Sequence, residues 1–237
     1  MSGPVVSIVV PARDEADNLP DLITRIHRSV GTRWVYELLV VNDSSVDGTA
    51  AVVTALAATH PVTLVHRTHS PGKGLAIAEG FGHATGDVLC MIDADLQYPP
   101  EALPAMVAIV LSGAAEVVVA NRVVHDTSLG RRLLSRLSRW LLQRLHGLDV
   151  DVQSGLKVLR RTVLDQIELR PNGWAFDLEL LLDARAAGHT ITGHDIDFAR
   201  RTRGRTKINV LLAGWQVLRN AIWLRLTRDD SGTPDTP

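Results

Sequence analysis

Hydrophobic and polar positions follow two periods along the first hundred residues. Val5 to Val10 is a short β-branched run that predicts a strand. Beyond Pro11-Ala12-Arg13-Asp14-Glu15, apolar residues recur at Leu19, Leu22, Ile23, Ile26 and Val30, the spacing of one helical face. Asp17 or Asn18 stands where the first turn needs a cap. Glu37 to Val41 predicts a second strand, and Asn42-Asp43-Ser44-Ser45-Val46-Asp47-Gly48-Thr49 ends it with small and capping residues that restart a helix. Val62 to His66 predicts a third strand, Gly72-Lys73-Gly74 opens a helix through Ala84, and Asp87 to Asp93 predicts a fourth strand. Pro99-Pro100-Glu101 starts the next helix. This alternation predicts an α/β fold with a mostly parallel central sheet and helices on both faces.

The chemistry-bearing residues collect where these strands end. Asp93-Ala94-Asp95 follows the apolar run Val88 to Ile92, and open α/β sheets bind ligands at the carboxyl ends of their strands. Side-chain direction repeats every second residue on an extended chain, so both carboxylates can approach one hard divalent cation. A diphosphate is the cargo such a metal carries. An acidic turn leading into a capped helix is the structural alternative on these residues alone. Lys73 lies between two glycines, where backbone amides and an ammonium can meet a phosphate together. Asp47-Gly48 reads as a structural turn.

Basic residues dominate the second half. Residues 200–207 read Arg-Arg-Thr-Arg-Gly-Arg-Thr-Lys with no acid among them, a density that calls for an anionic partner. Within residues 129–146, Leu133, Leu137, Trp140, Leu141 and Leu145 form an apolar stripe, while Arg132, Arg136 and Arg139 fall on another side. Arg131 and Arg144 add charge. Such a helix suits the plane of an anionic membrane, and equally suits packing on a core. Ile208 to Leu226 predicts a second long helix, with Leu211, Trp215, Leu218 and Ile222 aligned. Asn209, Gln216, Arg219, Asn220 and Arg225 argue against insertion, leaving core packing, membrane-surface contact and docking on a transmembrane partner subunit as its uses.

Composition narrows the classes further. An apolar content of 46% excludes wholesale disorder, and a net charge of −1 gives no global pull toward nucleic acid. The single cysteine, Cys90, falls within the fourth strand and reads as a small core residue. Met1-Ser2-Gly3-Pro4 leads almost at once into the first strand, so no signal peptide and a cytosol-facing protein are expected. His66 and His69 read as loop residues rather than a metal pair. Residues 228–237 read as a disordered tail.

One ordered set of motifs joins these observations: Ser7-Ile8-Val9-Val10-Pro11 with Glu15, Val41-Asn42-Asp43-Ser44-Ser45 with Asp47-Gly48-Thr49, Gly72-Lys73-Gly74, Asp93-Ala94-Asp95-Leu96-Gln97, and Asn121-Arg122. Gln153-Ser154-Gly155-Leu156-Lys157, Phe176-Asp177-Leu178-Glu179 and Arg201-x-x-Gly204-x-Thr206-Lys207 complete it. From about residue 5 to 210 the chain resembles a GT-A glycosyltransferase of family 2, within the dolichol-phosphate mannosyltransferase (polyprenol-phosphate sugar synthase) group. The resemblance implies one catalytic domain over residues 1–227, with a donor-binding half to about 122 and an acceptor-binding half beyond it. The implied reaction is metal-dependent, inverting transfer of a hexose, mannose before glucose, from a nucleotide-diphosphate sugar to a polyprenyl or dolichyl phosphate.

Residue roles follow from the same resemblance. Asp93, Asp95 and Gln97 would hold Mg²⁺ or Mn²⁺; Pro11, Glu15 and Asp43 would border the nucleoside; Lys73 would meet the diphosphate. Arg122, after the apolar strand Val117 to Ala120, matches the family arginine near the transferring phosphate and sugar. Arg131, Arg201 and Lys207 match positions that bind the acceptor phosphate, with Arg201 also facing the donor. The enzyme would work peripherally at the cytosolic face of a membrane. Asn42 replaces the first of two adjacent family acids, Arg13-Asp14 replaces an aromatic and Asn, and Thr206 replaces a serine, so the choice of base stays open. A hydroxyl acceptor would need a carboxylate base, for which Asp177 and Glu179 are the candidates, although both equally begin a helix through Ala187. A nucleotidyltransferase and a non-catalytic lipid-phosphate or nucleotide binding protein are the other classes.

Overall fold

The computed structural model describes residues 6–68, 70–123, 143–144, 147–171 and 176–199. Strand β1 (Val6–Ala12) leads to helix α1 (Leu19–Val30), β2 (Tyr36–Asp43) to α2 (Thr49–Leu56), and β3 (Val62–Arg67) to α3 (Lys73–His83). Strand β4 (Val88–Met91) is followed by one 3-10 turn, Pro100–Ala102, and α4 (Leu103–Leu111). Then come β5 (Val117–Val123), β6 (Lys157–Arg160), the single turn α5 (Arg161–Leu164), α6 (Phe176–Ala186) and β7 (Ile191–Asp197).

The strands form one seven-stranded sheet in the order β3-β2-β1-β4-β6-β5-β7. β1, β2, β3 and β4 pair in parallel, as their alternation with helices predicts. β6 runs antiparallel to both β4 and β5, and β5 pairs with β7 in parallel. Period-two alternation sends side chains to two cores. Val6, Ile8 and Val10 meet Leu22, Ile26 and Met106 on one face, whereas Val9, Leu89 and Met91 meet Ile77, Phe81 and Leu181 on the other. Gly80 lets α3 lie against β1, because a Cβ there would run into the Val9 side chain. Cys90 is fully buried and burial pushes its thiol well up, so it is an inert core residue.

Two boundaries differ from the sequence reading in ways that matter for chemistry. β2 runs on through Asn42 and Asp43, which pair with His66 and Arg67 of β3. β4 stops at Met91, where its ladders with β1 and β6 both end, opposite Val9 and Lys157. Asp93, read as the end of the strand, therefore stands with Asp95 on the connection after it. Among the described residues no helix is long and apolar enough to cross a membrane. The basic helix at 129–146, apart from residues 143 and 144, and the predicted elements beyond 199 lie outside the described residues.

Candidate active site

The carboxyl ends of β1, β2 and β4 lie side by side, and each is followed by a non-glycine residue of positive φ: Asp14 (57°), Ser44 (60°) and Leu96 (61°). Such backbone is sparsely populated, and for Leu it costs on the order of 1–3 kcal/mol, so it persists only where the surrounding structure imposes it. The first two turns are tied together. Asp14 N–H donates to Ser45 Oγ (3.0 Å), and Asp14 Oδ1 accepts from Val46 N–H (2.9 Å). Glu15 N–H donates to Thr49 Oγ1 (3.0 Å), and its carboxylate accepts from the Asn18 amide (2.6 Å). Asp47 accepts from the Thr49 amide (2.9 Å) and hydroxyl (2.5 Å) and from the Ala16 amide (3.1 Å). Burial pushes the Asp47 carboxyl up, but these hydrogen bonds outweigh it and leave the group below its ordinary value. Asp47 is thus occupied in building the turn. Pro11 faces Val41 near the end of β1, half-buried at the rim.

Asp43 is enclosed. One carboxylate oxygen meets the Arg67 guanidinium and the other accepts from the Gly72 amide (2.7 Å). Arg67 also reaches the Ser70 carbonyl (3.5 Å) and Glu79 (3.6 Å), and its side chain is 3% exposed. The pair anchors the residues that open α3. Arg67 carries no motif, and its only signal in the sequence is a cation at the end of an apolar strand.

A second group of charges centres on Asp93. Its Oδ1 contacts Lys73 Nζ at 2.6 Å, with the two side chains 27% and 41% exposed. Burial opposes the Lys73 charge, yet the carboxylates of Asp93 and then Asp177 outweigh it and push the amine well above the usual lysine value. Gly155 packs directly beneath the Asp93 carboxylate, and a Cβ there would collide with Oδ2. Arg122, near the end of β5, grips Asp151 with two hydrogen bonds (2.5 and 2.9 Å) and lies over the Phe198 ring at 5.4 Å. Desolvation opposes its charge, but Asp151 more than compensates and the guanidinium is held firmly protonated.

Tyr98, 3% exposed, stacks edge-on against Phe198 at 5.0 Å and lies within the electrostatic reach of Arg122, Asp93 and Lys73. Burial pushes its phenol up to about 12. Gln97 N–H donates to Asp95 Oδ1 (3.2 Å), while the Gln97 side-chain amide donates to the Ala199 carbonyl (3.3 Å). The structure therefore gathers Asp93, Asp95, Gln97, Lys73 and Arg122 at one edge and places Pro11, Glu15 and Asp43 beside them. Arg131, Arg201 and Lys207 lie outside the described residues.

Below this edge lies a fully buried lysine. Lys157 Nζ donates to the Ser154 carbonyl (2.5 Å) and to Asp177 Oδ1 (2.5 Å). Burial pushes Lys157 below its ordinary value against the pull of Asp177. Asp177 is thereby engaged as the counter-charge of an interior cation, and Glu179 is buried in the first turn of α6. Tyr98, Asp151 and Phe198, together with the pairing of Lys157, escape sequence reasoning because each acquires its partner only through the sheet.

The donor set suits a hard cation. Two carboxylates and an amide within five residues offer oxygen ligands, and Asp93 already holds a positive charge. Among the described residues no three His, Cys, Asp or Glu side chains converge, so phosphate oxygens and water would complete the coordination, as is usual for Mg²⁺.

The model of glycosyl transferase family 2 matches residues 7–167. The dolichol-phosphate mannosyltransferase of Pyrococcus furiosus is 30% identical over 212 residues, covering 86% of this chain and 59% of that protein. The undecaprenyl-phosphate 4-deoxy-4-formamido-L-arabinose transferase of Klebsiella pneumoniae is 36% identical over 166 residues, covering 68% of this chain and 50% of that protein. This chain thus spans between half and three-fifths of the length of these relatives. The crystal structure of glucosyl-3-phosphoglycerate synthase from Mycobacterium tuberculosis, in complex with Mn²⁺, UDP and glucosyl-3-phosphoglycerate, superposes with a TM-score of 0.76 at 24% identity. That match covers 99% of this chain and 82% of the other, and it shows a shared fold. With a family match over more than half its length, this chain belongs to glycosyl transferase family 2.

Proposed function

We propose that this protein transfers a hexose from a nucleotide-diphosphate sugar to a polyprenyl phosphate, with inversion, using Mg²⁺ or Mn²⁺ at Asp93, Asp95 and Gln97. Mannose is the favoured sugar and glucose the alternative. The observation that carries this reading is the paired Lys73 and Asp93 at the sheet edge with Arg122 close by, a site of mixed charge suited to a metal-bound diphosphate. The curated relatives named above, whose names state polyprenyl-phosphate or dolichol-phosphate substrates, support the acceptor class.

The chemistry asks little of the protein's own acids and bases. A lipid phosphate is anionic near neutral pH, so it attacks the anomeric carbon without a general base. Asp93, Asp95 and Gln97 would hold the cation, which would offset the negative charge of the departing nucleoside diphosphate. Lys73 meets the diphosphate from the start of α3, where the helix dipole also favours an anion. Asp151 orients the Arg122 guanidinium toward the charge that develops as the bond breaks. A hydroxyl acceptor would need a carboxylate to take its proton. Asp177 is already paired with Lys157, which favours the phosphate acceptor.

The basic residues Arg131, Arg201 and Lys207 join Arg122 as ligands of the acceptor phosphate in this reading, and the protein works at the surface of a membrane. Transfer of labelled sugar from GDP-mannose, UDP-glucose and other nucleotide sugars to polyprenyl phosphate in vesicles tests it, with Mg²⁺, with Mn²⁺ and with EDTA. Metal-dependent appearance of lipid-soluble sugar phosphate is the expected result. Donor consumption only with a hydroxyl acceptor would overturn it.

A further inference from the structure

Lys73 Nζ stands 2.6 Å from Asp93 Oδ1, the distance of a charge-assisted hydrogen bond. An ammonium therefore occupies one lone-pair position of a carboxylate that the reading above assigns to the metal. A divalent cation approaching the free protein meets a carboxylate already partly neutralised. Among the described residues the pair stays open: the lysine side chain is 41% exposed and that of Asp93 is 27% exposed. Lys73 is also the first residue of α3, so its amine can leave Asp93 for an anion near the helix start without unwinding any structure. The other oxygen of Asp93 lies against Gly155, where an added Cβ would collide with it.

Resting on the donor and metal reading above, we propose that Lys73 and the metal compete for Asp93, and that the nucleotide diphosphate resolves the competition by drawing Lys73 away. Metal and diphosphate then bind cooperatively, beyond the direct bonds between phosphate and metal. Linkage requires the coupling to be reciprocal: the metal raises nucleotide affinity by the factor by which the nucleotide raises metal affinity. Free protein binds the metal weakly, and the loaded donor complex assembles as a unit. Arg122 supplies an internal control. Its charge also reaches Asp93, but its guanidinium is bonded to Asp151 and not to Asp93.

Mn²⁺ titrations followed by electron paramagnetic resonance of the free ion test this, with no nucleotide and with saturating GDP or UDP. Lys73→Met is expected to bind Mn²⁺ alone about tenfold more tightly than the wild type, within the usual range of coupling factors. The gain in Mn²⁺ affinity on adding nucleotide is expected to shrink by about the same factor. Lys73→Arg keeps the cation and is expected to resemble the wild type, and Arg122→Gln is expected to tighten Mn²⁺ binding less than Lys73→Met. Unchanged Mn²⁺ affinity in Lys73→Met, or an equal effect of Arg122→Gln, would overturn the competition. Asp95→Asn separates this from the underlying reading: if it leaves Mn²⁺ binding intact, the metal site itself is misplaced and the competition falls with it. If it abolishes binding while Lys73→Met changes nothing, the competition alone fails.

Discussion

Asp43 and Asp93 lie along the same edge of the sheet with β1 between their strands, and each meets one cation. Asp43 ends β2 and meets Arg67 of β3, with side chains 7% and 3% exposed. Asp93 follows β4 and meets Lys73 of α3 in a contact open to solvent. The first pair is closed on all sides: Asp43 also takes the Gly72 amide, and Arg67 also takes the Ser70 carbonyl. A planar guanidinium with several fixed donors suits such a closed site, whereas a compact ammonium on a flexible stem can exchange partners. The same charge chemistry is thus closed in one place and open in the other, and burial separates the two.

Breaking the closed pair should have the largest effect. Arg67→Met leaves a buried carboxylate without its cation, which costs about 3–5 kcal/mol. Urea unfolding should show that loss, while Lys73→Met, at the open pair, should lose less than about 1 kcal/mol. Comparable losses would erase the distinction. The contrast reverses for catalysis: Asp93→Asn should lower metal-dependent transfer by about 100-fold or more, the scale of losing one well-placed electrostatic contact. Its melting temperature should stay close to that of the wild type.

Gly155→Ala sharpens the comparison from below, since the added methyl would push Asp93 out of position without removing any charge. A displacement near 1 Å can cost up to about 100-fold in turnover. A loss of about tenfold is expected, with weaker Mn²⁺ binding, measured on folded protein by the same titration. The smallest effect concerns Glu37, whose carboxylate is answered by hydroxyls and an amide rather than a cation. Ser7 Oγ (2.5 Å), the Thr85 amide (2.6 Å) and Thr85 Oγ1 (2.8 Å) all donate to it. Burial pushes Glu37 up, but these bonds prevail and hold it below its ordinary 4.5. The unfolded chain binds this proton more readily than the folded one. Its contribution is therefore present above 4.5 and is lost as pH falls through the lowered folded value. Glu37→Gln should flatten the acid limb of stability measured by urea unfolding across that range.

Much of the site is legible along the chain because ligand chemistry lies at strand ends, and strand ends are local features. The apolar run before Asp93 and the glycines around Lys73 announce themselves within a few residues. Helix α1 is equally plain, since Leu19, Leu22, Ile23, Ile26 and Val30 are all buried as their spacing predicts. Less legible is the end of β4. Asp93 reads as the last strand residue because the apolar run continues through Ile92, but the ladders with β1 and β6 both end at Met91.

The sequence by itself determined the alternation of strands and helices, the parallel pairing of the first four strands and the place of Asp93, Asp95 and Gln97 just beyond the fourth. Each depends on residue type and short-range spacing, which the chain carries without reference to its own folding. Only the tertiary structure decided who answers each charge. Lys157 meets Asp177, Arg122 meets Asp151 and Asp93 rests on Gly155 because β6 enters the sheet antiparallel between β4 and β5 and carries the preceding segment back under the edge. Partners that lie about twenty to sixty residues apart leave no periodic trace, and their burial, which sets what each charge can do, exists only once the sheet has closed around them.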